Sequence, residues 1–258
     1  MRLFSKKILL PLLVGSLLLT GCSSNKIQEQ KKTVYAMDTI TAYTDNSDVL
    51  NDAEKKINEI DKELRRGSQE SEIYAVNNNE ETKLTDETAY IVETALNIGK
   101  KTSGAFDITI APVMDLWGFY NQNFYVPTDD EIKNALKNVD YSKVSIKDNV
   151  ISKPKETQVD LGGIAKGYVT ELVGRYLEEN DIHSYIINAG GNVMVGKAYN
   201  KDTFLVGITS PDNKDDMFTK VKVNNLSIVT SGSYQRYCTL DGINYNHIIN
   251  PITKYPSN

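Results

Sequence analysis

Two histidines, His183 and His247, and two cysteines, Cys22 and Cys238, are all that 258 residues contain of either type. A multi-histidine metal centre is thereby excluded, and any metal must be held by oxygen, which suggests magnesium or calcium. There is no CxxC pair, no HExxH, no GxxxxGK[ST] and no GxGxxG opening a helix, so zinc-protease, P-loop and dinucleotide-fold chemistry have no sequence support. Positive charge is in deficit: 29 Lys and Arg stand against 34 Asp and Glu, a net −5. Nucleic acid is a poor partner for such a surface, since phosphate neutralisation needs clustered cations. Internal repeats and low-complexity segments are absent as well.

What is present begins with a targeting segment. Arg2, Lys6 and Lys7 form a positive head, and Ile8 to Leu19 is an apolar run interrupted only by Pro11, Gly15 and Ser16. Its 12 residues fall short of the roughly 20 needed to span a bilayer, but they suit a signal-peptide core. The run ends in Leu19-Thr20-Gly21-Cys22, the cleavage pattern of a bacterial-type lipoprotein. Residues 1–21 are therefore expected to be removed and Cys22 to carry lipid, where each buried methylene adds about 0.8 kcal/mol of anchoring. Loss of three positive charges takes the net charge from −5 to −8. Cys238 is then left without a partner, and no disulfide framework exists. The expected location is the extracytoplasmic face of a membrane.

Residues 22–32 are polar, without apolar periodicity, and read as a tether. Residues 33–258 read as one domain. Thr33–Tyr43 is rich in β-forming residues. Val49–Leu64 carries Ile57, Ile60 and Leu64 at helical spacing, and Thr85–Lys101 repeats the pattern with Thr85 or Asp86 as cap. Thr128 with Glu131 three residues on is a capping box opening a helix through Val139. Val144–Ser152 reads as strand-turn-strand, Val159–Leu161 as a short strand and Ala165–Glu179 as an amphipathic helix. Strands follow at Tyr185–Ile187, Asn192–Val195, Thr203–Ile208, Lys220–Val223 and Ser227–Val229. Without strict βαβ alternation the fold class is α+β with a mostly antiparallel sheet and packed helices.

Four segments carry the chemistry. In Val159-Asp160-Leu161-Gly162-Gly163-Ile164-Ala165-Lys166-Gly167 a carboxylate precedes a glycine pair and a helix start, so bare backbone and free N–H groups can face an anion. Lys166 there suits a phosphate; a tight turn with a solvated lysine is the competing reading. In Ser103-Gly104-Ala105-Phe106-Asp107-Ile108-Thr109, Asp107 between apolar residues needs a donor or a ligand, and capping of the turn before Pro112 is the alternative. Gly190-Gly191 in Asn188-Ala189-Gly190-Gly191-Asn192 is read first as a two-residue hairpin turn. Finally, Thr230 to Tyr237 and Asn246 to Pro251 bring hydroxyls, Arg236 and His247 together across a hairpin at Asp241-Gly242, which favours a functional histidine.

Taken jointly these segments resemble the FAD:protein FMN transferase (ApbE-like) family. Met37-Asp38-Thr39 is similar to its Met-Gly-Thr element, and Ser71 to Asn77 to its Ser-Glu-Ile…Asn element. GAFDIT, VDLGGIAKGY, NAGGN, SGSYQRY and HIINP follow in family order from about Tyr35 to the end of the chain. The resemblance implies that Met37, Tyr74, Ala105, Phe106, Asp107, Asp160 and Lys166 contact FAD, with Tyr74 and Phe106 available to stack on its rings. It further implies that the backbone carbonyl of Gly163 ligates Mg2+ and that His247 is the catalytic histidine. The implied reaction moves FMN from FAD to a Thr or Ser hydroxyl of a membrane-associated protein and releases AMP. An FAD pyrophosphatase, a non-catalytic FAD-binding lipoprotein and an inert surface lipoprotein are the rivals. The family's HIIDPxTG reads here as His247 to Lys254, with Asn250 for Asp and Lys254 for Gly. Family members also continue into an Asp- and Thr-bearing segment that supplies further magnesium ligands, so the domain is expected to be incomplete at its C-terminus.

The anchoring expectation is tested directly: Cys22→Ala should block processing or release the protein from membranes. A variant that matures and fractionates with membranes as the parent does would rule out lipid on Cys22.

Overall fold

The computed structural model describes residues 27–34, 39–211, 213, 216–233, 236–251, 253 and 255–257. Cys22 and Met37, and the expectations attached to them, lie outside the described residues. In chain order come β1 (Gln28–Thr33), β2 (Thr39–Thr44), α1 (Asp48–Leu64), α2 (Glu72–Asn77), α3 (Asp86–Lys101), α4 (Ala111–Leu116) and α5 (Asp129–Ala135). They are followed by β3 (Ser145–Lys147), β4 (Val150–Ser152), α6 (Gly162–Glu179), β5 (Tyr185–Asn188) and β6 (Asn192–Val195). The last strands are β7 (Phe204–Thr209), β8 (Met217–Val223), β9 (Leu226–Val229), β10 (Tyr237–Leu240) and β11 (Ile243–Asn246).

The strand order in the main sheet is β1-β2-β5-β6-β9, every neighbouring pair antiparallel. Its two faces are set by the two-residue alternation of strand side chains. Along β5, Tyr185 and Ile187 turn towards α1, α3 and α6, where they bury with Ile57, Val92, Val173 and Leu177. Ile186 turns the other way, onto a smaller cluster of Val195, Phe204 and Val223 under the β7–β8 hairpin. A third cluster joins α4 and α5 to the β10–β11 hairpin through Val113, Trp117, Phe119, Ile132, Cys238 and Ile249. Burial pushes the Cys238 thiol above its ordinary pKa, so it is a packing residue and not a nucleophile. The α+β architecture with a mainly antiparallel sheet is thus the one expected. Among the described residues no helix is long and apolar enough to cross a membrane.

Local signals behave as their chemistry dictates. Thr85 caps α3 through Thr88 N–H, and Thr128 with Glu131 forms the reciprocal capping box of α5. That helix ends at Ala135 and finishes as a 3-10 turn over Leu136–Asn138, not as α-helix to Val139. Asp148 and Asn149 take φ of 51° and 65° between β3 and β4, the left-handed pair that tight hairpins require.

Two expectations are corrected. Residues 28–32, read as tether, pair as β1 along the sheet edge. Lysines suit an edge strand, and Lys32 reaches back to Glu54 on α1 at 2.7 Å; a strand half open to solvent shows no apolar alternation. Val159–Leu161 is not a strand, and α6 starts at Gly162, three residues earlier than Ala165. The partner of Val159 is a side chain. Asn77 Nδ2 donates to Val159 O at 2.8 Å, and Val159 N–H donates to Asn77 Oδ1 at 2.7 Å. The short helix α2 that delivers Asn77 was not foreseen; Ser71 caps it through Ile73 and Tyr74 N–H.

Asn77 and Val159 are both buried. Asn77→Ala strands a buried N–H and a buried carbonyl, so it should lower unfolding free energy by about 2 kcal/mol or more. Denaturant titration checks this, and a loss near zero would show that water or a neighbour replaces the carboxamide.

Candidate active site

A cavity of about 720 Å3 opens where the first turn of α6, the β5–β6 turn, the segment after β9 and the His247 loop converge. That size is in the upper half of the range typical of ligand sites, about 300–1,000 Å3. Ala105, Phe106, Asp107 and Asp160 line it, and so do Gly163, Lys166 and His247. Tyr74 does not reach this wall; it sits half-buried in α2.

The glycine pair is the first turn of α6, not a turn preceding it. A Cβ on Gly163 would lie 3.0 Å from the Phe106 ring, so glycine here permits helix and aromatic to touch. Asp160 Oδ1 accepts from Gly162 N–H at 2.8 Å. Ile164 and Ala165 N–H both donate to Leu161 O, at 3.0 and 2.9 Å. Among the described residues Gly163 N–H has no partner, and it belongs to the positive end of the helix.

Lys166, one turn on, has no acidic partner within ion-pair distance among the described residues. Its Nζ would lie 3.2 Å from a Cβ on Gly190. Gly190 and Gly191 take φ of 61° and 94°, and Ala189 N–H donates to Asn192 O at 2.9 Å. The hairpin reading of this pair holds, and the bare turn also lets Lys166 lie close beside it. Asp107 accepts from Thr109 N–H at 2.8 Å, Thr109 Oγ1 at 2.6 Å and Tyr141 N–H at 3.1 Å. Its donors are thus internal, as the turn-closing alternative requires, although the residue still borders the cavity.

His247 makes two bonds to one carbonyl. Its backbone N–H donates to Arg236 O at 3.1 Å, and Nδ1 lies 3.0 Å from the same oxygen. A carbonyl only accepts, so Nδ1 carries the hydrogen and Nε2 keeps its lone pair. Burial, first, and then the positive charges of Arg236 and Lys166 lower the imidazole pKa below its ordinary 6.5, against the opposing pull of the Arg236 carbonyl. The other histidine, His183, pairs with Glu178 near the far end of α6.

Arg66 is the main residue that sequence reading missed. Its side chain is only 10% exposed. It grips Asp115 with both terminal nitrogens, Nη1 at 2.9 Å from Oδ2. Its Nε lies 2.8 Å from Asp160 Oδ2, an ion-pair contact outside hydrogen-bond alignment. Burial alone would lower its pKa, but Asp115 and then Asp160 raise it above the ordinary arginine value. In the sequence Arg66 is the second of two arginines after a helix, which reads as surface charge.

Among the described residues no three His, Cys, Asp or Glu form a group able to hold a metal. The Gly163 carbonyl would supply one of the six oxygens magnesium takes, while Asp160 and Asp107 are already engaged.

The profile of the ApbE family matches residues 33–258. The FAD:protein FMN transferase of Vibrio cholerae is 28% identical over 95% of this chain and 78% of its own length. That of Escherichia coli K12 is 32% identical over 67% of this chain. The chain thus spans about half, 52%, of the length of the E. coli relative. Among solved structures, the ApbE protein of Thermotoga maritima superposes with a TM-score of 0.80 at 26% identity, covering 90% of this chain and 78% of that one.

The site makes a prediction of its own. By NMR titration His247 should show a pKa below 6.5, and Lys166→Ala should raise it by removing a nearby positive charge. Because the folded pKa lies below the unfolded one, this histidine costs no stability above about pH 6.5. Below that pH the unfolded chain takes up the proton first, so stability falls as pH drops towards the folded value.

Proposed function

Because this chain belongs to the ApbE family, we propose that it transfers FMN from FAD to a Thr or Ser hydroxyl of an acceptor protein, releasing AMP. The observation that supports this most is a single cavity bordered both by an unpaired cation beside a helix N-terminus and by an imidazole with a fixed tautomer. The first pair suits a diphosphate. The second suits removal of a proton from a hydroxyl.

In this reading Lys166 Nζ and Gly163 N–H hold phosphate oxygens as charge builds on them. The acceptor Oγ attacks the FMN-side phosphorus, and its proton passes to His247 Nε2. The bond from that phosphorus to the bridging oxygen breaks, and the electron pair leaves on the AMP phosphate. The Nδ1–H bond to Arg236 O keeps the ring oriented and steadies it once protonated. Asp160 pairs with Arg66 and caps α6, which keeps the helix N-terminus aimed into the cavity. Magnesium, when bound with FAD, would neutralise the diphosphate and stabilise the leaving AMP. The same proposal places the enzyme on the outer face of a membrane through lipid on Cys22, near a membrane-associated acceptor.

Incubation with FAD, Mg2+ and a threonine-bearing acceptor peptide tests the reading. Covalent flavopeptide plus AMP is the expected product. Free FMN plus AMP would make the chain a pyrophosphatase, and bound, intact FAD would make it a carrier. In the same assay His247→Ala should cut transfer by about 10^2–10^4-fold with FAD affinity kept. Lys166→Ala should weaken FAD and ADP binding while leaving riboflavin, which has no phosphate, nearly unchanged; equal losses would mean that Lys166 only supports the fold.

A further inference from the structure

The cavity wall contains an aromatic seat that the reaction as proposed does not use. Tyr120 follows the α4 region and borders the cavity, yet remains 52% exposed. One face of its ring is covered by a cation: the Arg66 guanidinium carbon lies 3.9 Å from the ring centroid. The outer end of the ring rests where a side chain at position 67 would be. A Cβ on Gly67 would lie 1.5 Å from Tyr120 Oη and 2.8 Å from its Cζ. Arg66 in turn cannot swing away, because Asp115 and Asp160 hold all three of its nitrogens.

A large aromatic left half-exposed usually reflects nothing beyond an incomplete core. This one differs because its position is determined twice over, by a buried cation beneath it and by a glycine that makes room for its hydroxyl. Fixing an aromatic costs side-chain entropy, and that cost brings no further burial while so much of the ring stays in water. A planar ligand laid on the ring would bury it at no further ordering cost. It would find a flat, pre-oriented surface of the kind that stacked aromatics favour.

We propose that Tyr120, seated on Arg66 and Gly67, is the stacking platform for one of the two planar ring systems of FAD, a role that rests on the reading of FAD as substrate. The resemblance made Tyr74 and Phe106 available for stacking, and of these Phe106 lines the cavity while Tyr74 is not among its lining residues. Phe106 lies against Gly163 at the helix end of the same cavity, so a second aromatic remains for the other ring. Arg66 acts through Tyr120 and is a positioning residue.

The test is equilibrium binding to the full chain, with FAD, ADP and riboflavin as separate probes. Tyr120→Leu should raise the FAD Kd about tenfold, whereas Tyr120→Phe, which keeps the ring, should stay within about twofold of the parent. Gly67→Ala should weaken FAD binding by displacing the ring, and should add nothing in a Tyr120→Leu background. A Tyr120→Leu loss seen with ADP but not riboflavin assigns adenine to the platform, and the reverse assigns the isoalloxazine. The inference is overturned if Tyr120→Leu binds all three probes like the parent, if Tyr120→Phe is as weak as Tyr120→Leu, or if the two losses simply add. If the parent itself fails to bind FAD, the functional reading falls first and this one with it.

Discussion

One carboxamide decides where the active-site helix begins. Asn77 bonds both to the N–H and to the carbonyl of Val159, so a stretch without a neighbouring strand is fixed as firmly as if it had one. The next residue, Asp160, gives its N–H to Ile108 O at 2.8 Å. Its side chain then caps Gly162 and meets Arg66. With residues 159 and 160 pinned, α6 can start only at Gly162, with its N-terminus in the cavity. The same pinning positions Asp160 for Arg66, and hence Arg66 for Asp115 and Tyr120. A buried amide on a short helix thus supports both the helix end and the Tyr120 side of the cavity.

The charge arrangement follows from the same scaffold. The chain is acidic overall, at −5, yet the cavity's charges do not follow that sign. Arg66 is matched by two carboxylates, and Asp107 is satisfied by three internal donors. Lys166, with the helix end behind it, and Arg236, which donates to the Phe119 carbonyl, remain without an acidic partner among the described residues. An unpaired cation in a partly enclosed space focuses its field on whatever anion enters, and acts more strongly there than on open surface. That field also explains the histidine. Burial, and then the positive charges of Arg236 and Lys166, lower the His247 pKa, which favours the form a proton acceptor needs.

Much of this was legible in the sequence, for identifiable reasons. Caps such as Thr128 with Glu131 are local chemistry, complete within four residues, and the structure contains the box as read. The alternation in β5 and β6 is likewise local. The cavity residues Phe106, Asp160, Lys166 and His247 were found because their segments have unusual composition and occur together in family order. Arg66 and Tyr120 were missed because their importance is relational. Neither has a distinctive neighbourhood in sequence, and Arg66 lies 49 residues from Asp115. The edge strand β1 was missed because solvent on one side and polar side chains erase the two-residue signal. Val159 looked like a strand because its partner is a side chain 82 residues away, which no periodicity reports.

The glycines show how a motif can be right for a reason other than the first one offered. Gly162-Gly163 suggested a turn that frees backbone for an anion, but neither residue takes a left-handed φ. Gly163 is required by distance: at 3.0 Å a Cβ would press on the Phe106 ring, and one of the two would have to move. Moving Phe106 would shift an aromatic wall of the cavity, and moving α6 would carry Lys166 with it. Gly67 likewise makes room for Tyr120, whose Oη lies 1.5 Å from where a Cβ on it would be. Phe106 and Tyr120, two of the aromatics that line the cavity, each stand where a neighbouring segment lacks a side chain, and both segments are tied to Asp160, one through the cap on Gly162 and the other through Arg66.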